Sequence, residues 1–263
     1  MASYTTAWLI GSVRDLSATV TITGDAGGET ISGDVYLYHA TSSLSLLAKF
    51  VTAMTDAGVA GATAVLTRDR RVKIGSGGAT FSVQWTDTDL RDLLGFTGNL
   101  SAASSYTATN VSPLLWSPGK PMRPLLSPLD CHGNRRPLAY WTASPSDGTP
   151  FVVSHGERVD QGWEALSVAM SRVQTTSEAG GEWCRFFEEC AEKGYNFNVY
   201  PEAVEETGSS TSTISSLTPA LGPYVLSPSG RAPQWGFRRS RGMEWANSRA
   251  DVQFDCRVVP EYA

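Results

Sequence analysis

Histidine is scarce in this sequence, with only His39, His132 and His155 present, and that scarcity limits both acid–base and metal schemes. Four cysteines, Cys131, Cys184, Cys190 and Cys256, stand apart without a CxxC pair. Neither a zinc ribbon nor a redox dithiol is therefore written, and the cysteines read as free thiols of a chain folded in a reducing cytoplasm. No H-E-x-x-H, G-x-S-x-G elbow or Walker-type loop occurs. No apolar run is long enough to cross a bilayer, and Met1 to Leu16 lacks a basic region followed by an apolar stretch, so we expect neither a membrane span nor a secretory leader. A net positive balance is also wanting, although a local basic patch remains open. A net charge of -5 and a pI near 5.3 argue against a surface given over to nucleic acid, which demands grouped Lys and Arg.

The remaining chemical groups read more simply as structure. Asp130, Cys131 and His132 are neighbours in sequence, as are Ser154 and His155, whereas a nucleophile and its base are normally brought together by the fold. Glu182, Glu188, Glu189 and Glu192 fall around the polar face of an expected helix, and Asp87, Asp89 and Asp92 suit the start of a short one through its dipole. The run Gly75 to Gly78 leads into a strand rather than a helix, so it reads as a hairpin turn and not as a phosphate cradle. We expect no enzyme, no cofactor and no metal.

What the chain does have is aromatic and apolar material: 263 residues, 41% hydrophobic, with 8 Trp, 9 Tyr and 9 Phe. That supports one large or two modest cores. The clearest local signal runs from Ala79 to Gly98. Phe81, Val83 and Trp85 alternate with Ser82 and Gln84 as in a strand with one buried face. Thr86 and Asp87 offer cap oxygens, Leu90, Leu93 and Leu94 fall at helical spacing, Gly95 suits the left-handed stop, and Phe96 is placed to fold back as a latch.

Before this stretch, Ala18 to Thr23 and Gly33 to His39 read as strands around a GDAGGE turn. A helix from about Ser43 to Ala57 follows, capped by Thr41 or Ser42, with Leu44, Leu47, Val51 and Met54 as its stripe and Gly58 as its stop. A hairpin, Ala64 to Thr67 and Val72 to Ile74, leads into the Phe81 strand. Six prolines between Pro113 and Pro137 mark an ordered connector. Beyond it, Trp163 to Gln174 reads as a strand, and Trp183, Phe186, Phe187, Cys190 and Ala191 as the stripe of a helix spanning 178–193 that Gly194 ends. Tyr195, Phe197 and Val199 begin the next strand. Gly208 to Pro219 reads as a loop, Tyr224 to Leu226 as a short strand, and Val252 to Val258 as the closing one.

The expected fold is α+β and β-rich, with two sandwich-like sheet domains, each carrying one amphipathic helix packed on its sheet. Residues 1–112 form the first, 113–145 the connector and 146–263 the second. The two strand–helix–glycine–strand units would fit a distant duplication, but such units are common in unrelated α+β proteins and that is the reading we take.

The run Phe81 to Trp85 followed by Leu90 to Gly98 resembles structural proteins of tailed-phage virions, in which a tryptophan-ended strand leads into a segment like LRDLLGFTG. Trp183, Phe186 and Phe187, followed by Gly194, Tyr195, Phe197 and Tyr200, resemble phage tail proteins of the distal-tail kind. These resemblances imply a virion building block of the tail or neck, made in the host cytoplasm. Its partners would be copies of itself in a ring or tube and neighbouring virion proteins. Two readings stand for the arginines Arg231, Arg238, Arg239 and Arg241: a solvated loop, or a subunit interface that pairs with Glu202, Glu205 and Glu206 of a neighbouring copy. The alternative function is a carbohydrate- or receptor-binding module, with Trp116, Trp141, Trp235 and Trp245 in loops as ligand-stacking candidates.

Overall fold

The computed structural model describes residues 4–23, 27–67, 69–117, 140–143, 151–154, 165–174, 185–190, 193–205, 221–226, 234–238 and 249–258. The connector is described only at its two ends, and the loop 208–219 lies outside the described residues.

Strand β1 (Tyr4–Ile22) runs for 19 residues. Its first half carries three consecutive buried side chains, Trp8, Leu9 and Ile10, so alternation is absent there. A strand covered on both faces has no polar side to show. Sequence pattern therefore marks only its second half, where Leu16, Ala18, Val20 and Ile22 are buried at every second position. The register of β1 shifts between Val13 and Leu16, where Asp15 takes φ 51 and its N–H donates to Asp34 Oδ1 at 2.8 Å. Extra residues in one strand of a pair bend it and increase its twist.

Strand β2 (Glu29–Tyr36) pairs antiparallel with β1. Helix α1 (Leu46–Asp56) begins later than the sequence pattern suggests. Thr41 makes no side-chain cap bond, Ser42–Leu44 form a 3-10 turn, and Ser45 Oγ caps the helix by accepting from Ala48 N–H. Its buried stripe is accordingly Leu46, Leu47, Phe50, Ala53 and Met54, with Leu44 and Val51 only half-buried. The cap moved by three to four residues because a Ser/Thr-rich run offers several oxygens, and packing of Phe50 selects among them.

Strands β3 (Thr63–Leu66) and β4 (Val72–Gly75) form the expected hairpin. The loop that follows, Gly75 to Gly78, is not a hairpin turn. Strand β5 (Phe81–Trp85) pairs with β1 instead of β4, so the loop carries the chain from one sheet to another. Helix α2 (Thr88–Leu93) is capped by Asp87, whose carboxylate accepts from Asp89 and Leu90 N–H, and Gly95 follows it at φ 82. Phe96 closes the latch. Its ring stacks on Trp85 at 5.4 Å, Trp85 in turn stacks on Phe50 at 5.8 Å, and the indole N–H donates to Gly98 O at 2.9 Å.

Strands β6 (Leu100–Ala103), β7 (Ser105–Thr107) and β8 (Leu115–Trp116) complete the first part. Then come β9 (Tyr140–Ala143), β10 (Phe151–Ser154), β11 (Ala165–Gln174), β12 (Phe197–Glu205), β13 (Leu221–Leu226), β14 (Gln234–Arg238) and β15 (Arg249–Val258). Helical residues at 185–190 precede β12, with Phe186, Phe187 and Cys190 buried. The fold is α+β and β-rich, built of antiparallel sheets with few helices. Its main sheet has ten strands in the order β11-β15-β13-β12-β1-β5-β6, with β14, β2 and β8 pairing off that path. A two-stranded sheet (β10-β9) and a three-stranded one (β3-β4-β7) accompany it. Strand β1 joins chain segments from both sides of the proline-rich stretch, pairing with β5 before it, with β8 at its start and with β12 after it.

Candidate assembly surfaces

Where β1 meets β12, the helical residues at 185–190 lock onto β8. The Trp116 indole is 1% exposed and packs edge-on against Phe186 at 5.2 Å, and its N–H donates to Glu189 Oε2 at 2.9 Å. Arg185 donates from Nη1 to Ser112 O at 2.9 Å and from Nη2 to Leu115 O. Charged donors on carbonyls make strong, directional bonds. The loop before β8 is thus fixed from the second half of the chain. This overturns two expectations. Trp116 is a core residue and offers no face to a ligand. Glu189, expected on a solvated helix face, is half-buried and holds the indole. Arg185 had no sequence signal beyond its place beside Phe186 and Phe187.

The other candidates fall differently. Trp141 lies in β9 opposite Val153, and Trp235 in β14 opposite Val252, so both belong to strands and not to loops. Arg238 closes β14 opposite Arg249, again in a strand, while Glu202 and Glu205 lie on β12, with Glu205 opposite Tyr4. Arg231, Arg239, Arg241, Glu206 and Trp245 lie outside the described residues, as do Cys131, His132 and His155.

Among the described residues no three His, Cys, Asp or Glu side chains come together as a metal site, and no helix is long and apolar enough to cross a membrane. His39 is engaged in structure. Its Nδ1 accepts from Thr41 N–H at 3.0 Å while the ring stacks on Tyr36 at 5.3 Å. Burial raises the Tyr38 phenol above its ordinary value.

One end of the first part shows an unusual surface. The segments Ala57 to Thr67, Ile74 to Thr86 and Leu93 to Gly119 contain no Asp, Glu, Lys, Arg or His. The fold brings Ala57 to Thr67, Ile74 to Thr86 and the part of the third segment up to Asn110 together. Ser76 N–H donates to Ser104 O at 3.0 Å, Gly77 N–H to Ala60 O at 2.8 Å, and Tyr106 OH to Phe81 O at 2.6 Å. The exposed side chains there, among them Thr63, Ala79, Thr97, Ser101 and Ala102, are small and neutral. Strand β6, at the end of the main sheet, pairs only with β5 among the described strands. Monomeric proteins usually guard such edges with charge or proline, and this one has neither.

Compared with protein-family models, curated proteins and solved structures, the chain matches none of them.

Proposed function

We propose that this chain is a structural subunit of a tailed-phage virion, acting in the tail or neck by assembling with copies of itself into a ring or tube segment. The observation that carries this reading is the β6 edge of the main sheet, a strand with no charged residue and no proline. Copies bearing a net charge of -5 repel one another, so a contact between them is least opposed where like charges do not meet. The resemblance of Phe81 to Gly98 to virion proteins supports it from the sequence side. That same segment is held together by the Asp87 cap and the Phe96–Trp85 stack directly before β6. The carbohydrate-binding alternative loses Trp116, which is buried in the core.

The reading is tested by measuring solution mass across concentrations and imaging large species by electron microscopy; rings or tubes support it, and a concentration-independent monomer counts against it. Ser101→Glu with Ala102→Glu should leave the melting temperature within about 2 °C, because exposed substitutions stay near ±0.5 kcal/mol. Assembly should weaken by about tenfold or more through like-charge repulsion. Arg238→Glu with Arg239→Glu tests the expected arginine–glutamate contact: it should block assembly and leave the monomer folded, and rings of normal size would remove that contact.

A further inference from the structure

The outer edge of β2 faces a groove. At its C-terminal end that edge is closed: Tyr36 forms a parallel bridge with Ser45, and Leu47 N–H donates to Leu37 O at 3.2 Å, so α1 starts alongside β2. Toward Glu29 an open groove of about 290 Å³ lies between strand and helix. That volume is near the lower end for ligand sites. Helix positions Lys49, Thr52, Ala53 and Asp56 line one wall at helical spacing, and Glu29 to Ser32 line the other.

The direction of the strand's backbone groups follows from its ladder. Leu37 N–H donates to Gly11 O at 3.1 Å, which makes Ser12 and Tyr36 a pair that exchanges no bonds, so the Tyr36 backbone groups point away from β1. Backbone groups alternate sides along a strand, and the same parity puts those of Ser32 and Thr30 toward the groove. The Ser32 carbonyl agrees, since it accepts from Lys49 Nζ across the gap. An edge strand with outward amides beside a helix is the arrangement that takes up an added strand.

We propose that this groove binds an extended peptide segment of another chain, which adds to β2 as a strand and places an arginine or lysine beside Asp56. The charge of the groove chooses that side chain. The exposed Asp56 supplies a carboxylate, and the C-terminal end of α1 adds its partial negative charge next to it. Lys49, the one cation among the groove's lining residues, is turned onto the Ser32 carbonyl and acts as a latch on the strand edge. An entering peptide N–H replaces it. This site stands on β2 and α1 alone and does not depend on the virion reading.

The test uses the full chain and three blocked hexapeptides: alternating threonine and valine with one arginine, the same peptide N-methylated at alternate backbone positions, and the arginine replaced by glutamate. Binding is followed by ¹⁵N amide shifts and hydrogen exchange. The arginine peptide should shift and protect the Thr30 and Ser32 amides, with the N-methylated form weaker by about tenfold and the glutamate form by about fivefold. Lys49→Ala should tighten binding by about threefold by freeing the Ser32 carbonyl, and Asp56→Asn should remove the preference for arginine. No change at Thr30 and Ser32 with millimolar arginine peptide, or equal binding by the N-methylated form, overturns the proposal.

Discussion

Gly95→Ala should destabilise the protein by about 2–5 kcal/mol, combining the cost of a left-handed residue with that of overpacking. The backbone at Gly95 has φ 82, and a Cβ built there would lie 2.3 Å from the Asn110 carbonyl oxygen. That oxygen has little freedom to retreat. Asn110 N–H donates to Gly95 O at 2.9 Å, and nearby Ser112 Oγ donates to Leu93 O at 2.6 Å, so the two segments are stitched together. Two controls separate the contributions. Gly58 has φ 85 with open space around it, so Gly58→Ala should show the backbone cost alone, about 1 kcal/mol. Gly98 has neither restraint, so Gly98→Ala should lie within about 0.5 kcal/mol of the parent. Denaturant or thermal unfolding of the three variants checks the order. If Gly95→Ala cost no more than Gly58→Ala, the close approach of the α2 stop to Asn110 would be wrong.

This stop was legible in the sequence because everything that makes it is local. Alternation, cap, leucine spacing, glycine and latch all fall between Phe81 and Phe96, and the structure forms each of them. The first half of β1 was not legible, for the opposite reason. Its residues pair with β12 and β8, far away in the chain, and burial on both faces erases the period that would mark a strand. The helix α1 was legible as a helix but not in phase. Thr41, Ser42, Ser43 and Ser45 are chemically equivalent caps, and only the fit of Leu46 and Phe50 in the core selects Ser45.

The candidate surfaces divide in the same way. An absence of charge from Leu93 to Gly119 is plain in the sequence, but that its part up to Asn110 meets Ala57 to Thr67 and Ile74 to Thr86 is a product of the sheets. The groove beside β2 needed the direction of individual carbonyls, which no side-chain pattern carries. Tryptophans misled for a physical reason as well. An indole is large enough to be either a ligand platform or a core plug with one polar atom to satisfy, and Glu189 satisfies that of Trp116.

Trp116→Ala should therefore act on stability and not on ligand binding, with a loss of about 3–5 kcal/mol. The variant empties the space between β8 and the helical residues at 185–190, where Phe186 also packs edge-on against Phe197 at 5.0 Å. It also leaves Glu189 without the indole donor. Trp116→Phe keeps most of the ring and removes the hydrogen bond, so it should cost less. A second site tells packing from unfolding in general. A Cβ on Gly11 would lie 2.8 Å from the Trp116 Cη2, which means the indole occupies the space that any side chain at position 11 would need. Gly11→Ala alone should cost about 1–3 kcal/mol by overpacking. In the Trp116→Ala background the same change enters a void, and its cost should shrink by 1 kcal/mol or more, a coupling expected only between residues in contact. Additive losses across the four proteins would mean that the indole does not lie on β1 at all, and the proposed lock between β8 and the second half of the chain would fall with it.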